Sequence, residues 1–168
     1  MAEFPSIKPA FTMKVAIDAP LAVGSASRSN PLQVVPMLGG TLQSAEGFDP
    51  AIDAEFVGIG NDYIHADADG KHLRLNAHGV IKTKDEALIY INYTGVITLT
   101  EAEAAVFTGK AAEGSTPFGN SFIHLTFETG HERYKELEQR VFVGQGRFNV
   151  GADKKIVVEY RVGQVVHG

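Results

Sequence analysis

Hydrophobic and polar positions alternate most regularly between residues 57 and 98, VGIGNDYIHADADGKHLRLNAHGVIKTKDEALIYINYTGVIT. The period is two, which puts successive side chains on opposite faces of a strand. Two turn-forming clusters, Ala68-Asp69-Gly70 and Thr83-Lys84-Asp85-Glu86, divide the stretch. It therefore predicts a three-strand antiparallel meander over 57–66, 72–82 and 88–98. In the second strand Leu73, Leu75, Ala77, Gly79 and Ile81 share one face, and Arg74, Asn76, His78, Val80 and Lys82 share the other. In the third, Ile89, Ile91, Tyr93, Gly95 and Ile97 oppose Leu88, Tyr90, Asn92, Thr94 and Val96. Keeping like faces together pairs Gly79 with Ile91 and sets His78 beside Asn92. One face is strongly apolar and the other mixed, and strand parity leaves open which of them looks inward.

The same signals carry through the rest of the chain. Residues 1–10 read as an N-terminal arm and 11–168 as a single barrel domain. Alternation predicts strands over 10–17, 33–37, 121–128, 141–148 and 155–166, with a short edge piece at 21–25. In the last strand Ile156, Val158, Tyr160 and Val162 are expected inward, with Glu159 and Arg161 outward. Pro36 makes its strand an edge or bulged piece, and Gly39-Gly40 after it marks a bend or barrel corner. One short helix is predicted over 100–108, where Thr100 and Glu103 form a capping box ahead of Ala104 and Ala105. The loop 109–119, with Pro117, is long enough to be a lid or mouth loop. Residues 129–139 are polar, a loop with one helical turn. The sum is an all-β domain of about eight to ten strands. Many glycine bends favour closure into a barrel over a sandwich, since closure removes exposed edges.

Composition narrows the function classes. The 168 residues are enough for one domain with a core, and 44% of them are hydrophobic. A formal net charge of -5 argues against a phosphate-binding face, so nucleic acid is not an expected partner. The absence of cysteine excludes disulfides, thiolate metal sites and a cysteine nucleophile. No apolar run approaches the length of a membrane span, and MAEFPSIKPAFTMKV is not a secretory signal. A cytoplasmic protein without a membrane partner is expected.

The order of several short motifs carries a resemblance. Gly39-Gly40, Gly60-Asn61-Asp62, Thr83-Lys84-Asp85-Glu86, Phe127-Glu128-Thr129 followed by Tyr134 and Leu137, and the closing GRFNVGADKKIVVEYRV together resemble the DUF3237 (UPF0311) family of uncharacterised β-barrel proteins. The resemblance runs from about Phe11 onward. It implies a calycin-like barrel, a homodimer, and a bound small molecule, with no agreed reaction. Three departures stand out: Glu86 where the family usually has glycine, Glu136 where tryptophan is frequent, and His78-Gly79 where larger basic or aromatic residues are common. Members that depart from the pattern suit specialised substrates, such as a secondary-metabolite intermediate.

Four residues are candidates for proton transfer. Asp62 lies in an otherwise uncharged strand, where a lone carboxylate is costly to bury and can acquire a raised pKa. His78 can shuttle a proton, with Asn92 beside it to hold a carbonyl. His124 and Glu128 share one side of their strand. Tyr63, Tyr90 and Tyr93 can offer phenolic donors to a ligand. Each has a structural alternative: Asp62 as an acceptor for backbone N–H groups at a bulge, the histidines and Glu128 as a solvated face, the tyrosines as packing. No metal site is expected. Asp67-x-Asp69-Gly70 lacks the later ligands of a calcium loop, and the six histidines contain no pair at helical metal spacing. No dinucleotide fingerprint or serine nucleophile elbow is present. The expected function is a cofactor-independent isomerase, lyase or cyclase acting on a hydrophobic small molecule inside the barrel. The alternative is a binding protein of the same fold without turnover.

Overall fold

A computed structural model describes residues 3–58 and 60–168. Met1 and Ala2 of the expected arm, and Ile59 of the expected first meander strand, lie outside the described residues. Among the described residues the chain forms eleven strands: β1 (Ser6–Ile17), β2 (Leu21–Gly24), β3 (Leu32–Ser44), β4 (Asp53–Phe56), β5 (Gly60–Ala66), β6 (His72–Thr83), β7 (Leu88–Thr98), β8 (Gly114–Ser115), β9 (Ser121–Glu128), β10 (Phe142–Val150) and β11 (Ile156–Val166). A short helix, α1 (Glu101–Phe107), follows β7, and a 3-10 helix covers Glu132–Gln139. Strand β1 begins at Ser6, so the arm is already paired with β11 before Ala10. The strand expected over 57–66 is observed as β5 from Gly60, and a separate strand, β4, forms ahead of it over Asp53–Phe56.

All pairings are antiparallel and run β1-β11-β10-β9-β7-β6, then through β4 and β5 to β3. The circle closes because β3 returns to pair with β1. Thus β3 changes partners along its length, meeting β5 over Leu32 to Met37 and β1 from Met37 to Ser44. Gly39 and Gly40 sit at the change, both with positive φ. At Gly40 the backbones come so close that an added Cβ would lie 2.0 Å from the Lys14 carbonyl oxygen. The glycine pair is the corner that lets one strand serve two walls.

The meander keeps the expected register, Gly79 opposite Ile91 and His78 opposite Asn92. Its apolar row turns inward: Leu73, Leu75, Ala77 and Ile81 are buried, as are Ile89, Ile91, Tyr93 and Ile97. Burial of the aliphatic row removes it from water, and the mixed row stays solvated at the outer surface.

The interior has two unlike ends. At one, Phe11, Phe48, Phe127 and Phe142 form an edge-to-face cluster with centroid spacings of 4.7–6.2 Å and close the barrel. At the other, Ile17, Ile97 and Phe148 line the wall and α1 lies across the opening. Helix α1 forms where the capping box was expected, with Glu103 receiving the Thr100 backbone N–H. No helix among the described residues is long and apolar enough to cross a membrane.

Replacing Gly40 by alanine should lower the unfolding free energy by about 3 kcal/mol, since neither the backbone contact nor the positive φ tolerates a side chain. Gly130 has open space around it, and its alanine variant should unfold within about 0.5 kcal/mol of the parent. Equal denaturant midpoints for the two variants would show that the corner is not constrained in this way.

Candidate active site

Strand β5 alternates Gly60, Asp62 and Ile64 inward against Asn61, Tyr63 and His65. Asp62 therefore projects into the barrel, and it is only 7% exposed. Its Oδ1 accepts the backbone N–H of Asn76 at 2.9 Å. The β5–β6 ladder pairs Asp62 with Ala77 and resumes at His65 with Arg74, so the carboxyl takes a donor that lies in the gap. Across the sheet one row runs Val35, Asp62, Ala77, Tyr93. With strands about 4.8 Å apart, the backbones of Asp62 and Tyr93 stand about 10 Å from each other. The residue between them is alanine, and its methyl leaves the space above it open to both larger side chains.

Tyr160 comes from β11 and was expected to face inward, without a role. Its strand neighbour is Gly146. A Cβ at Gly146 would lie 2.6 Å from the Tyr160 ring and 3.2 Å from Ser121 Oγ, so the missing side chain is what admits the phenol. The Tyr93 and Tyr160 rings pack at 5.4 Å and 56°. Ser121 Oγ is buried beside them with no hydrogen-bond partner among the described residues. Such an orphaned hydroxyl in an apolar wall is uncommon.

Asp62, Tyr93 and Tyr160 line one cavity whose other walls are apolar. Burial pushes the Asp62 carboxyl up to about 7, against the opposing pull of the Asn76 N–H. Burial also raises the Tyr93 and Tyr160 phenols, and the Asp62 charge nearby adds to both. At neutral pH the site thus offers one proton acceptor close to half-ionised and two phenols that keep their protons. That is the equipment for moving a proton while holding an oxygen atom. The enclosed space is about 20 Å³, room for about one water.

The remaining candidates lie elsewhere. His78, Asn92, Tyr63 and Tyr90 were candidates on a face whose orientation was open, and they stand on the outer surface of the barrel. His78 Nδ1 lies 2.5 Å from the Tyr90 hydroxyl, with the Tyr63 ring at 5.9 Å from its own. Asn92 Nδ2 donates to the Ala77 carbonyl at 2.8 Å and to Asn76 Oδ1 at 3.1 Å. His124 and Glu128 are exposed on the outside of β9, because Ile123, Leu125 and Phe127 take the inward positions. The physical reason is the same in each case: closing the barrel encloses the apolar row and leaves its polar neighbours hydrated. Tyr93 alone of the expected ligand-binding residues shares the interior with Asp62.

Asp67, Asp69 and His72 at the β5–β6 turn bring their ligand atoms within 4.8 Å of one another. They are already engaged, Asp67 by Arg74 at 2.6 Å and Asp69 by His72 at 2.8 Å. They take no part in the interior site.

The family model described as "Protein of unknown function (DUF3237)" matches residues 5–165. Among curated proteins nothing matches the chain. Solved structures do. A conserved protein of unknown function from Rhodopseudomonas palustris shares 23% identity at a TM-score of 0.80, covering 98% of this chain and 100% of that one. A beta-barrel like protein from Acinetobacter baumannii shares 22% identity at a TM-score of 0.73, covering 98% of each. An enzyme from Penicillium herquei shares 18% identity at a TM-score of 0.62, covering 98% of this chain and 96% of that one. At these identities the likeness is one of fold.

The raised pKa of Asp62 makes stability depend on pH with a definite sign. Below pH 3.8 both folded and unfolded chains hold the proton. Between 3.8 and about 7 the unfolded chain releases it first, so stability falls as pH rises, and above about 7 the loss is complete. The full difference is on the order of 4 kcal/mol at about 1.4 kcal/mol per pH unit. In the Asp62→Asn variant the side-chain amide oxygen can accept the Asn76 N–H without titrating. That variant should therefore gain on the parent steadily from pH 4 to pH 7.5 in thermal or urea unfolding. A difference that stays constant across this range would contradict the assignment.

Proposed function

Because the chain belongs to the DUF3237 family, whose description names no reaction, its chemistry must be read from its own interior, and we propose that it is a cofactor-independent enzyme moving a proton on a neutral, hydrophobic small molecule. The observation that carries this reading is the convergence of one buried carboxyl, Asp62, with the phenols of Tyr93 and Tyr160 in an apolar cavity. The similar fold of the Penicillium herquei enzyme is consistent with catalysis in such a barrel.

In this reading the Asp62 carboxylate takes a proton from an acidic C–H or O–H group. Tyr93 and Tyr160 donate hydrogen bonds to the substrate oxygen, where negative charge grows as the proton leaves. Return of the proton at another carbon makes an isomerase. Loss of a leaving group makes a lyase, and attack by an internal nucleophile makes a cyclase. The walls set the substrate class. The buried ionisable side chains among the described residues are Asp62, Glu103 and Glu159, together with Tyr93, Tyr134 and Tyr160; none is a lysine, arginine or histidine. An anionic substrate would meet the Asp62 charge with no cation to offset it. A neutral aromatic ketone, enol or phenol fits, and a specialised metabolite intermediate is the proposed source. A cytoplasmic setting suits the cysteine-free chain. The proposed assembly is a homodimer through the outer apolar groove of about 440 Å³ that Ile7, Phe122 and Val143 line.

A binding protein without turnover is the second reading. It is favoured by the bond Asp62 already makes to Asn76, which gives the carboxyl a fixed structural partner.

Proton abstraction can be observed before the substrate is known. Neutral aromatic ketones incubated with the protein in deuterated water should exchange their acidic C–H positions, and the rate should rise with pH to a plateau above about 7. Asp62→Asn should slow exchange at least about 100-fold, Tyr93→Phe and Tyr160→Phe about 10-fold or more, and His78→Ala, His124→Ala and Glu128→Gln not at all. Exchange by Asp62→Asn at the parent rate would remove Asp62 as the base. Ligand retained by the protein with no exchange in any case would favour the binding reading. A single monomer mass by light scattering at micromolar concentration would remove the dimer.

A further inference from the structure

We propose that Phe107, on α1, is the gate and size filter of the interior site, and that α1 swings from its N-terminal end to admit a ligand. The inference rests on the interior being a ligand site, whether or not the ligand is turned over.

Three observations lead to it. First, the cavity under α1 is about 20 Å³, too small for any organic substrate, while the far end of the barrel is closed by the phenylalanine cluster. The α1 side is therefore the entrance proposed. Second, Phe107 is the α1 side chain that reaches this cavity, where it meets Phe148 edge-on at 5.3 Å. Third, the two ends of the helix are held differently. At the N-terminal end Glu103 is 1% exposed and its carboxylate receives Asn120 Nδ2 and the Thr100 N–H. That end is a pivot.

The C-terminal end runs into a segment punctuated by Gly109, Gly114 and Gly119, all with positive φ. It is fastened from the outside. Ser115 Oγ lies 2.6 Å from Asn149 Oδ1, the Thr116 N–H donates to the Phe148 carbonyl, and Arg147 covers the Phe118 ring at 4.6 Å. A groove of about 270 Å³ between α1 and this segment, bounded by Ala102, Ala105 and Pro117, gives the helix somewhere to go. Ala102 and Ala105 face this groove, and the buried Val106 is the core contact a tilt must break. Displacing one phenyl ring frees space of order 100 Å³, comparable to engineered apolar cavities that take up benzene. The size of the side chain at 107 then sets how large a ligand the site accepts.

The test uses toluene, a neutral apolar probe that neither gives nor takes a proton. It is titrated into the parent, Phe107→Ala and Phe107→Trp, and followed by calorimetry and by the NMR signals of Tyr93 and Tyr160. Phe107→Ala should bind toluene at least tenfold more tightly than the parent, with the tyrosine signals shifting, and Phe107→Trp more weakly than the parent. Should the alanine variant fail to fold, Phe107→Leu carries the same comparison with a smaller change. Equal toluene affinity in all variants, or tyrosine signals that stay still while toluene binds, would overturn the gate. Toluene has no proton to exchange, so its uptake is read independently of proton transfer. A parent that takes up toluene but exchanges no protons would therefore count against the acid–base reading and leave the gate standing.

Discussion

The character of this barrel's interior turns on one buried carboxyl. Removing Asp62 from water disfavours its charged form, and the single hydrogen bond from Asn76 offsets only part of that. A wetter or more polar interior would have left the group an ordinary surface acid. The apolar walls that make the fold stable are thus the same walls that hold the pKa near neutrality. The two small residues facing the site serve this arrangement. Ala77 clears the row between Asp62 and Tyr93, and Gly146 admits the ring of Tyr160. A larger residue at either place would fill the volume in which the three polar groups meet.

The meander was legible because it is antiparallel and half-buried. Alternation with a period of two gives both faces, and matching them gives the register, so the pairing of Gly79 with Ile91 could be read directly. The corner at Gly39-Gly40 was legible for a similar local reason, though its partner β1 was not. Less legible were the short strands β4 and β8, which lie in glycine- or proline-containing segments and exist because longer neighbours offer them an edge. The turn at Glu86 shows a limit of another kind. Its φ of 67 is left-handed, a conformation that favours glycine, yet this chain holds a charged side chain there.

The site was legible only in part, for a physical reason. Parity says that His78 and Asn92 share a face and that Asp62 stands out from an uncharged strand. It does not say which face is enclosed, because enclosure depends on how distant strands close the circle. Once the aliphatic row is inside, His78, His124 and Glu128 are outside together, since β6, β7 and β9 are bound in register. Tyr160 was passed over because its approach depends on Gly146, a neighbour through the β10–β11 ladder. The useful signal was the pair Gly144-x-Gly146, two side-chain gaps on the inward face of one strand opposite an inward tyrosine. Small residues facing inward mark where a barrel has left room.

The hydrogen bond to Asn76 does not by itself account for a carboxyl at position 62. An asparagine there would accept the same N–H, would remain neutral at every pH, and would spare the folded state the burden of a group that resists ionising. The two phenols point the same way. Their hydroxyls sit in an apolar wall near a single acid, where phenylalanine would pack as well and need no partner. Ser121 Oγ, buried beside Tyr160 with no hydrogen-bond partner among the described residues, is one more polar atom in that corner. Four polar groups in one corner of an otherwise apolar barrel are each a local disadvantage to folding. Three of them, Asp62, Tyr93 and Tyr160, line the cavity that Phe107 of α1 borders, and a ligand bound there is the proposal that would account for their joint presence.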